Sequence, residues 1–225
     1  ILGTPLVTIF SGVGLSMLIA APIGAAASQV GTLIMWATEQ APLVMGILVS
    51  VIVGVALTLP ISSAAICAAL GLTGLAGGAA VAGCCAQMIG FAVMSFQENG
   101  VGGLISQGLG TSMLQMGNII KNPRIWIAPT LASAITGPLA TCLFHFEMNG
   151  AAVSSGMGTC GLVGQIGVYT GWVSDIAAGV KTAITPMDWA AMVLLCFVLP
   201  AVLSVIFCEI ERKMGWIKEG DLKLN

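Results

Sequence analysis

The longest uncharged stretch of this chain is the feature that most constrains its fold. No Asp, Glu, Lys or Arg occurs between Glu39 and Glu98, and most residues in that interval are apolar. Across the whole chain 57% of residues are hydrophobic and only 7% are charged, whereas soluble domains carry about 25% charged residues. A chain this apolar cannot cover its hydrophobic side chains with polar ones in water. The sequence therefore predicts a protein whose solvent is lipid.

Five apolar runs are long enough to cross a bilayer as helices, at about 20 residues for each crossing. They cover residues 6–27, 43–60, 72–96, 125–144 and 187–207. The period-two alternation typical of strands is lacking. We therefore expect an all-α integral membrane protein with about five transmembrane helices in the cell membrane. The chain starts at Ile1 without a methionine or a charged leader, so we expect earlier segments of the native N-terminus to be missing.

Local patterns predict where some helices break, pack and begin. Pro60 interrupts the second run, whose apolar character continues to Leu70, so a long and broken helix is expected. Small residues repeat four apart in that run, a pattern of close helix packing. A threonine, a proline and an acid precede the last run in the order of a helix N-terminus. The residues concerned are Gly46, Ser50 and Gly54, and Thr185, Pro186 and Asp188.

Two glycine-rich segments, residues 98–120 and 148–168, carry many polar side chains. They are too polar to face lipid and too apolar for a solvated loop. Re-entrant hairpins shielded by protein fit both properties, although the first segment also fits an amphipathic helix at the membrane interface. The segments resemble each other, because each has an acid and an Asn-Gly pair followed by S-x-G-x-G-T, at residues 98–111 and 147–159. In a glycine-rich chain this similarity could also arise by chance.

Basic residues predict the orientation, because Lys and Arg favour cytoplasmic loops. Lys181 is the only basic residue expected on the far side. One crossing then separates the two hairpins, which would enter from opposite faces as inverted repeats of secondary transporters do. We divide the chain into a transmembrane scaffold (1–97), a ligand part with both hairpins (98–208) and a charged cytoplasmic tail (209–225). The basic residues expected in the cytoplasm are Lys121, Arg124, Arg212, Lys213, Lys218 and Lys223.

The candidate site centres on Glu147 and on His145, the only histidine of the chain. Ionisable groups within a membrane are expensive and usually face a cavity. Two residues apart, these side chains share a side only where the backbone is extended or unwound. They would bind a polar ligand such as a sugar hydroxyl or relay protons, and a solvated histidine at a helix end is the alternative. The predicted ligand-binding residues are His145, Glu147, Asn149 and, by their place in the repeat, Glu98 and Asn99.

Other features are interpreted as structural. Asp175, Lys181 and Asp188 resemble ordinary interfacial charges. The seven cysteines lack a C-x-x-C pair and are interpreted as small buried hydrophobes, so no metal or other cofactor is expected. A G-x-G-x-x-G pattern at residues 156–161 follows no strand, so a dinucleotide site is rejected. The basic residues are too scattered for nucleic-acid binding, and no nucleophile–base pair indicates catalysis.

Four stretches carry a resemblance to a known family. Residues 99–111, 118–123, 136–139 and 147–158 together resemble the phosphotransferase-system enzyme IIC-like membrane proteins. The similarity is closer to the perfringolysin O (toxin) regulator-like branch. It extends over about residues 1–215 of the chain.

The resemblance implies an integral membrane sugar permease, not an enzyme, with two re-entrant hairpins and usually a homodimeric assembly. In sugar-transporting relatives a glutamate and a histidine contact the sugar, and Glu147, His145 and Glu98 are the positions that correspond. A partner IIB component phosphorylates the sugar in such systems. No IIA or IIB domain is recognised here, so a secondary transporter without phosphoryl coupling stays open, as does a membrane sensor. The short charged tail offers little material for signalling, which favours transport.

Overall fold

The computed structural model describes residues 25–224, and within that range the chain is almost wholly helical. Helices account for 80% of the structure. The described residues contain no β-strand, only an isolated antiparallel bridge between Gly74 and Met148. The prediction of an all-α protein is confirmed. The ten α-helices of the described chain are α1 (residues 25–40), α2 (Pro42–Thr58), α3 (Ser63–Leu70), α4 (Gly74–Met94), α5 (Phe96–Ile105), α6 (Met116–Lys121), α7 (Ile127–Pro138), α8 (Val163–Ala177), α9 (Pro186–Val193) and α10 (Leu199–Lys213).

Three helices of the described chain are long and apolar enough to cross a membrane. They are α4, a helix over Pro123–Leu143 that contains α7, and a helix over Pro186–Lys213 that joins α9 to α10. The last has 28 residues and would extend about 42 Å. These helices correspond to the third, fourth and fifth predicted crossings.

The other two predicted crossings have different outcomes. The run at 43–60 forms α2, an apolar helix of 17 residues. Helix α2 ends at Thr58 and a new helix, α3, begins at Ser63, so the expected interruption of the helix is present. The Ser62 side chain caps α3 by accepting a hydrogen bond from the backbone N–H of Ala65. The run at 6–27 lies outside the described residues except for 25–27. The number of five crossings therefore stays a prediction.

Helix α4 forms the centre of the protein and packs against α2 and α7 through small residues. Gly83 lies against the backbone of Ser50, and Gly137 of α7 lies against Ser50 and Gly46. The Ser50 hydroxyl also donates to the carbonyl oxygen of Ser133 at 2.8 Å. Close approach of helix backbones through small residues supplies much of the packing in lipid. The small-residue face predicted on α2 is thus the face that packs.

The second glycine-rich segment folds back on itself. Gly150 lies against Gly167, and Asn149 lies against Gly171, so the incoming stretch runs alongside α8. Between them Gly158 has φ 53° and Leu162 has φ 59°, left-handed conformations that reverse the chain. Helix α8 begins directly after this reversal and spans Val163–Ala177. This helix is the return arm of the segment.

The first glycine-rich segment also returns to the end from which it starts. Asn99 near its beginning and Gln115 near its end both donate to the carbonyl oxygen of Leu222. Between them the chain runs through a kink at Gly100 and a π-helical turn over Ser106–Gly110. The segment is therefore helical in parts, yet it does not extend as one continuous helix.

The two S-x-G-x-G-T stretches meet beside the C-terminal half of α4. The Thr159 hydroxyl donates to the carbonyl oxygen of Gly108, and it also contacts the sulfur of Met88. The Asn-Gly pairs of the two segments, in contrast, lie far apart. Met148, the neighbour of Asn149, pairs with Gly74 at the start of α4, whereas the backbone N–H of Asn99 donates to the carbonyl oxygen of Ser95 just after its end. The 21 residues of α4 separate these ends by about 31 Å.

Candidate ligand-binding pocket

A cavity of about 370 Å³ opens at the end of the protein where α4 starts. Its walls come from the stretch after α7, from the end of α8 and from the start of α9. This volume lies within the range of small-molecule sites, about 300–1,000 Å³. The residues that line it are Leu143, Phe144, His145, Phe146, Glu147, Trp172, Asp175, Val180, Lys181, Thr185, Met187, Asp188 and Ala191.

His145 and Glu147 reach this cavity from an unwound stretch. The helix over Pro123–Leu143 ends in a π-turn, and Phe146 and Met148 then point into the core with exposed fractions of 3% and 0%. His145 and Glu147 alternate with them and are exposed. The backbone N–H of Phe146 donates to the carbonyl oxygen of Ala140, which holds the unwound stretch in place. The two candidate side chains thus share a side, as expected for a non-helical segment.

Asn149 links two carboxylates of the pocket wall. Its side-chain amide donates to Glu147 Oε2 at 3.0 Å and to Asp175 Oδ2 at 2.9 Å. Each hydrogen of the amide group therefore serves one carboxylate. The two carboxylates carry like charges and repel each other, and the amide group that donates to both reduces this repulsion. Asn149 acts by positioning both acids.

Lys181 supplies the single ammonium group of the pocket. Its Nζ lies 2.7 Å from Asp188 Oδ1 and 5.2 Å from the ring centroid of Trp172. The ion pair and the cation–π contact hold the ammonium against the wall. Asp188 is held in turn by Thr185, through the capping box that starts α9, which confirms the helix start expected at this position.

The balance of charges favours a ligand rich in hydrogen-bond donors. Three carboxylates, those of Glu147, Asp175 and Asp188, face one ammonium group. Carboxylates accept hydrogen bonds and cannot donate them. Among the residues that the structure describes, no group of three or more His, Cys, Asp or Glu side chains could hold a metal ion. Ligand hydroxyl groups can donate to these acceptors.

Glu98 and Asn99 lie at the opposite end of the protein. Glu98 accepts a hydrogen bond from the backbone N–H of Leu222 and lies 3.4 Å from Arg212. Asn99 donates to the carbonyl oxygen of Leu222 and accepts from the N–H of Leu224. Of the five predicted ligand-binding residues, the structure therefore places His145 and Glu147 in the lining of the pocket. Asn149 is a hydrogen-bond partner of two acids of that lining, and Glu98 and Asn99 lie elsewhere. The length of α4 separates the two groups.

Three pocket residues were missed by the sequence interpretation, which treated Asp175, Lys181 and Asp188 as interfacial charges. A signal for them exists in the sequence. Between Arg124 and Glu209 the chain has only four charged residues, Glu147 and these three, and all four line the same cavity. Scarce charges in an apolar chain tend to gather at a functional site.

Three membrane-length helices define a helical membrane protein, and a cavity lined by charged and aromatic side chains opens at one of its ends. The chain belongs to the phosphotransferase system EIIC family, whose model matches residues 1–224. No match was found among curated proteins or among solved structures. The match to the family model confirms the resemblance to the enzyme IIC family, whereas the perfringolysin O regulator-like branch stays a prediction. EIIC domains are integral membrane transport components.

Proposed function

We propose that this protein is a sugar permease of the EIIC type and that the pocket around Glu147 binds the sugar. The observation that carries the proposal is the gathering of every charged residue between Arg124 and Glu209 around one cavity. Ionisable side chains are rare in the membrane part of a protein, and where they gather they usually face a cavity that serves a polar ligand.

The chemistry of the pocket suits a sugar. An ionised carboxylate accepts hydrogen bonds from two hydroxyls at once, and sugars present hydroxyls in adjacent pairs. Glu147 and Asp175 supply acceptors, while Lys181 supplies donors. Phe144 and Trp172 add aromatic surface for the apolar face of a ring. A cavity of about 370 Å³ has room for a monosaccharide.

The two folded-back segments supply the transport element of this proposal. We infer that they are re-entrant hairpins of an inverted repeat, one from each face of the membrane. Their contact between Thr159 and Gly108 beside Met88 supports this inference, because transporter repeats of this kind meet near the centre of the bilayer. The division into scaffold, ligand part and tail at residues 97 and 208 stays a prediction.

The orientation and the partners complete the proposal. Lys181 lies beyond one end of the helix over Pro186–Lys213, and Lys218 beyond the other. The end with more basic residues is assigned to the cytoplasm of a cell whose plasma membrane holds the protein. A IIB phosphocarrier would dock there, and a homodimer is the assembly that the family resemblance implies.

Uptake of a panel of radiolabelled sugars into proteoliposomes tests the proposal. The permease is expected to concentrate or equilibrate one sugar, and Glu147→Gln is expected to slow its uptake. Glu39→Gln is the matched control, because Glu39 is an exposed glutamate outside the pocket. Adding phosphorylated IIB protein inside the vesicles separates the coupling modes. Phosphorylated product indicates group translocation, and unmodified sugar indicates secondary transport. Absence of uptake for every sugar of the panel would support the alternative that the protein is a membrane sensor.

A further inference from the structure

The segment after α10 is not a free charged tail. Ile217 and Leu222 have exposed fractions of 3% and 0%. Both pack into an apolar cluster with Phe91, Ile125 and Cys208. Burial of these two aliphatic side chains holds the segment against the protein. We call residues 216–224 the strap, because they lie across the protein and are anchored at both of these positions.

Polar side chains of the first glycine-rich segment bind the backbone of the strap. Glu98 Oε2 accepts from the N–H of Leu222 at 3.0 Å, and Asn99 Oδ1 accepts from the N–H of Leu224 at 2.8 Å. Asn99 and Gln115 both donate to the Leu222 carbonyl oxygen, at 2.8 and 2.9 Å. Asn118 donates to the carbonyl oxygen of Lys223 at 3.0 Å. We call these four side chains the polar row.

The other end of the strap is fastened separately. Asn122 donates to the carbonyl oxygen of Trp216 and to the carboxylate of Asp221. The guanidinium of Arg124 lies 5.4 Å from the ring centroid of Trp216. Asn122 and Arg124 thus contact side chains of the strap as well as its backbone. The polar row, in contrast, forms hydrogen bonds only with backbone atoms of the strap.

A continuous set of hydrogen bonds leads from the polar row into the protein. Gln115 donates to Gln107 Oε1 at 2.9 Å, and Gln107 donates to the hydroxyl of Ser95 at 2.7 Å. Gln107 precedes Gly108, the residue whose carbonyl oxygen meets Thr159. The row therefore lies on a polar route from the basic end of the protein to the contact between the two folded-back segments.

The sequence similarity between the two glycine-rich segments indicates which role the polar row would have without the strap. In the sequence repeat, Glu98 and Asn99 correspond to Glu147 and Asn149. Glu147 lines an open cavity at the other end, and Asn149 donates a hydrogen bond to its carboxylate. Backbone N–H and C=O groups of the strap take the places that hydroxyl donors and acceptors of a sugar would take. One end of the protein is thus open and the equivalent end is covered.

We propose that the strap is a removable gate over a second solute site formed by Glu98, Asn99 and Gln115. The proposal rests on the sugar permease function proposed above. While the strap is in place, a sugar enters only from the pocket side. Release of the strap frees one carboxylate and two carboxamides for sugar hydroxyls and opens the basic end.

Binding of the strap as a separate peptide tests the first half of the proposal. The full chain with Leu222→Ala, which loosens the strap, and a chain ending at Met214 are purified, and a fluorescent peptide with the sequence of residues 216–225 is added to each. Saturable binding is expected, and Asn99→Ala should weaken it about tenfold through loss of two hydrogen bonds. Asn149→Ala, at the other end, should leave peptide binding unchanged. The peptide carries two lysines and two acids, so a scrambled peptide of equal composition controls for charge.

Flux through the gate tests the second half. Exchange of the transported sugar across proteoliposomes should be faster for the shortened chain than for the full chain, and the peptide should reverse the change. Leu222→Ala in the full chain is the milder variant, and it should increase exchange if the shortened chain does not fold. Absence of peptide binding, or binding without any effect on flux, would overturn the gate. Peptide binding by a protein that carries no sugar would instead contradict the permease function.

Discussion

The Thr159 hydroxyl lies 2.5 Å from the carbonyl oxygen of Gly108 and joins two equivalent stretches of the chain. Both residues belong to S-x-G-x-G-T sequences, 51 positions apart. Thr159 has an exposed fraction of 0%, so water cannot replace this hydrogen bond. The contact makes the meeting of the two folded-back segments sensitive to a single hydroxyl group.

Replacement of that hydroxyl should loosen the contact. Thr159→Val keeps the shape of the side chain but leaves the Gly108 carbonyl without its donor, which should cost about 1–3 kcal/mol of stability. Thr159→Ser retains the hydroxyl and serves as the control. Thermal unfolding in detergent measures both variants. Equal melting temperatures for the valine and serine variants would show that the hydrogen bond contributes little.

The charge of Glu147 should contribute to ligand affinity. Glu147→Gln keeps the shape and removes the charge, so affinity for the transported sugar should fall by about 1.5–3 kcal/mol, the scale of a hydrogen bond to a charged group. Binding to the purified protein is measured by calorimetry, with Glu39→Gln as the control. Unchanged affinity would move the sugar site away from this pocket, and Glu98 would be tested next.

Asp175 should matter as well, contrary to its interpretation as an interfacial charge. It shares the Asn149 amide with Glu147 and lines the same cavity. Asp175→Asn keeps one oxygen that can accept from that amide but removes the negative charge and one acceptor oxygen, so it is expected to weaken sugar binding several-fold. The same calorimetric titration measures it. An affinity equal to wild type would restrict the site to the unwound stretch around Glu147.

Helix packing through Gly83 should tolerate no side chain. A Cβ at this position would collide with the backbone carbonyl of Ser50 in α2, so Gly83→Ala should force the helices apart and cost about 1–3 kcal/mol. Gly102 in α5 is the matched control, because a Cβ there meets no atom. Gly102→Ala should be neutral or slightly stabilising. Similar melting temperatures for the two alanine variants would contradict the packing described for α2 and α4.

Lys181 and Lys218 should be accessible from opposite faces of the membrane. The helix over Pro186–Lys213 lies between them, and the excess of basic residues assigns Lys218 to the cytoplasm. Single cysteines at these positions, in a cysteine-free background, are labelled with an impermeant maleimide in intact cells and in inverted vesicles. Labelling of both positions from one face would refute the topology.

The helical class, the main crossings and the folding back of the glycine-rich segments could be predicted from the sequence, because these properties depend on neighbouring residues. A backbone in lipid must satisfy its own hydrogen bonds locally, so apolar runs become helices. Glycines such as Gly158 permit the left-handed turns that reverse the chain. The break after Thr58 and the capping box of Thr185 with Asp188 follow from short local patterns in the same way.

The membership of the pocket, in contrast, was decided by the tertiary structure alone. The sequence by itself indicated that His145 and Glu147 would share a side if their backbone were extended or unwound, and it marked the repeat that contains Glu98 and Asn99. It could not show that α8 and α9 bring Asp175, Lys181 and Asp188 to Glu147, because that depends on contacts across more than twenty residues. Nor could it show that the strap covers Glu98 and Asn99. Packing around α4 brings the charged residues to Glu147 and the strap to Glu98 and Asn99. Such packing joins segments that are distant in sequence, so it leaves no local sequence pattern.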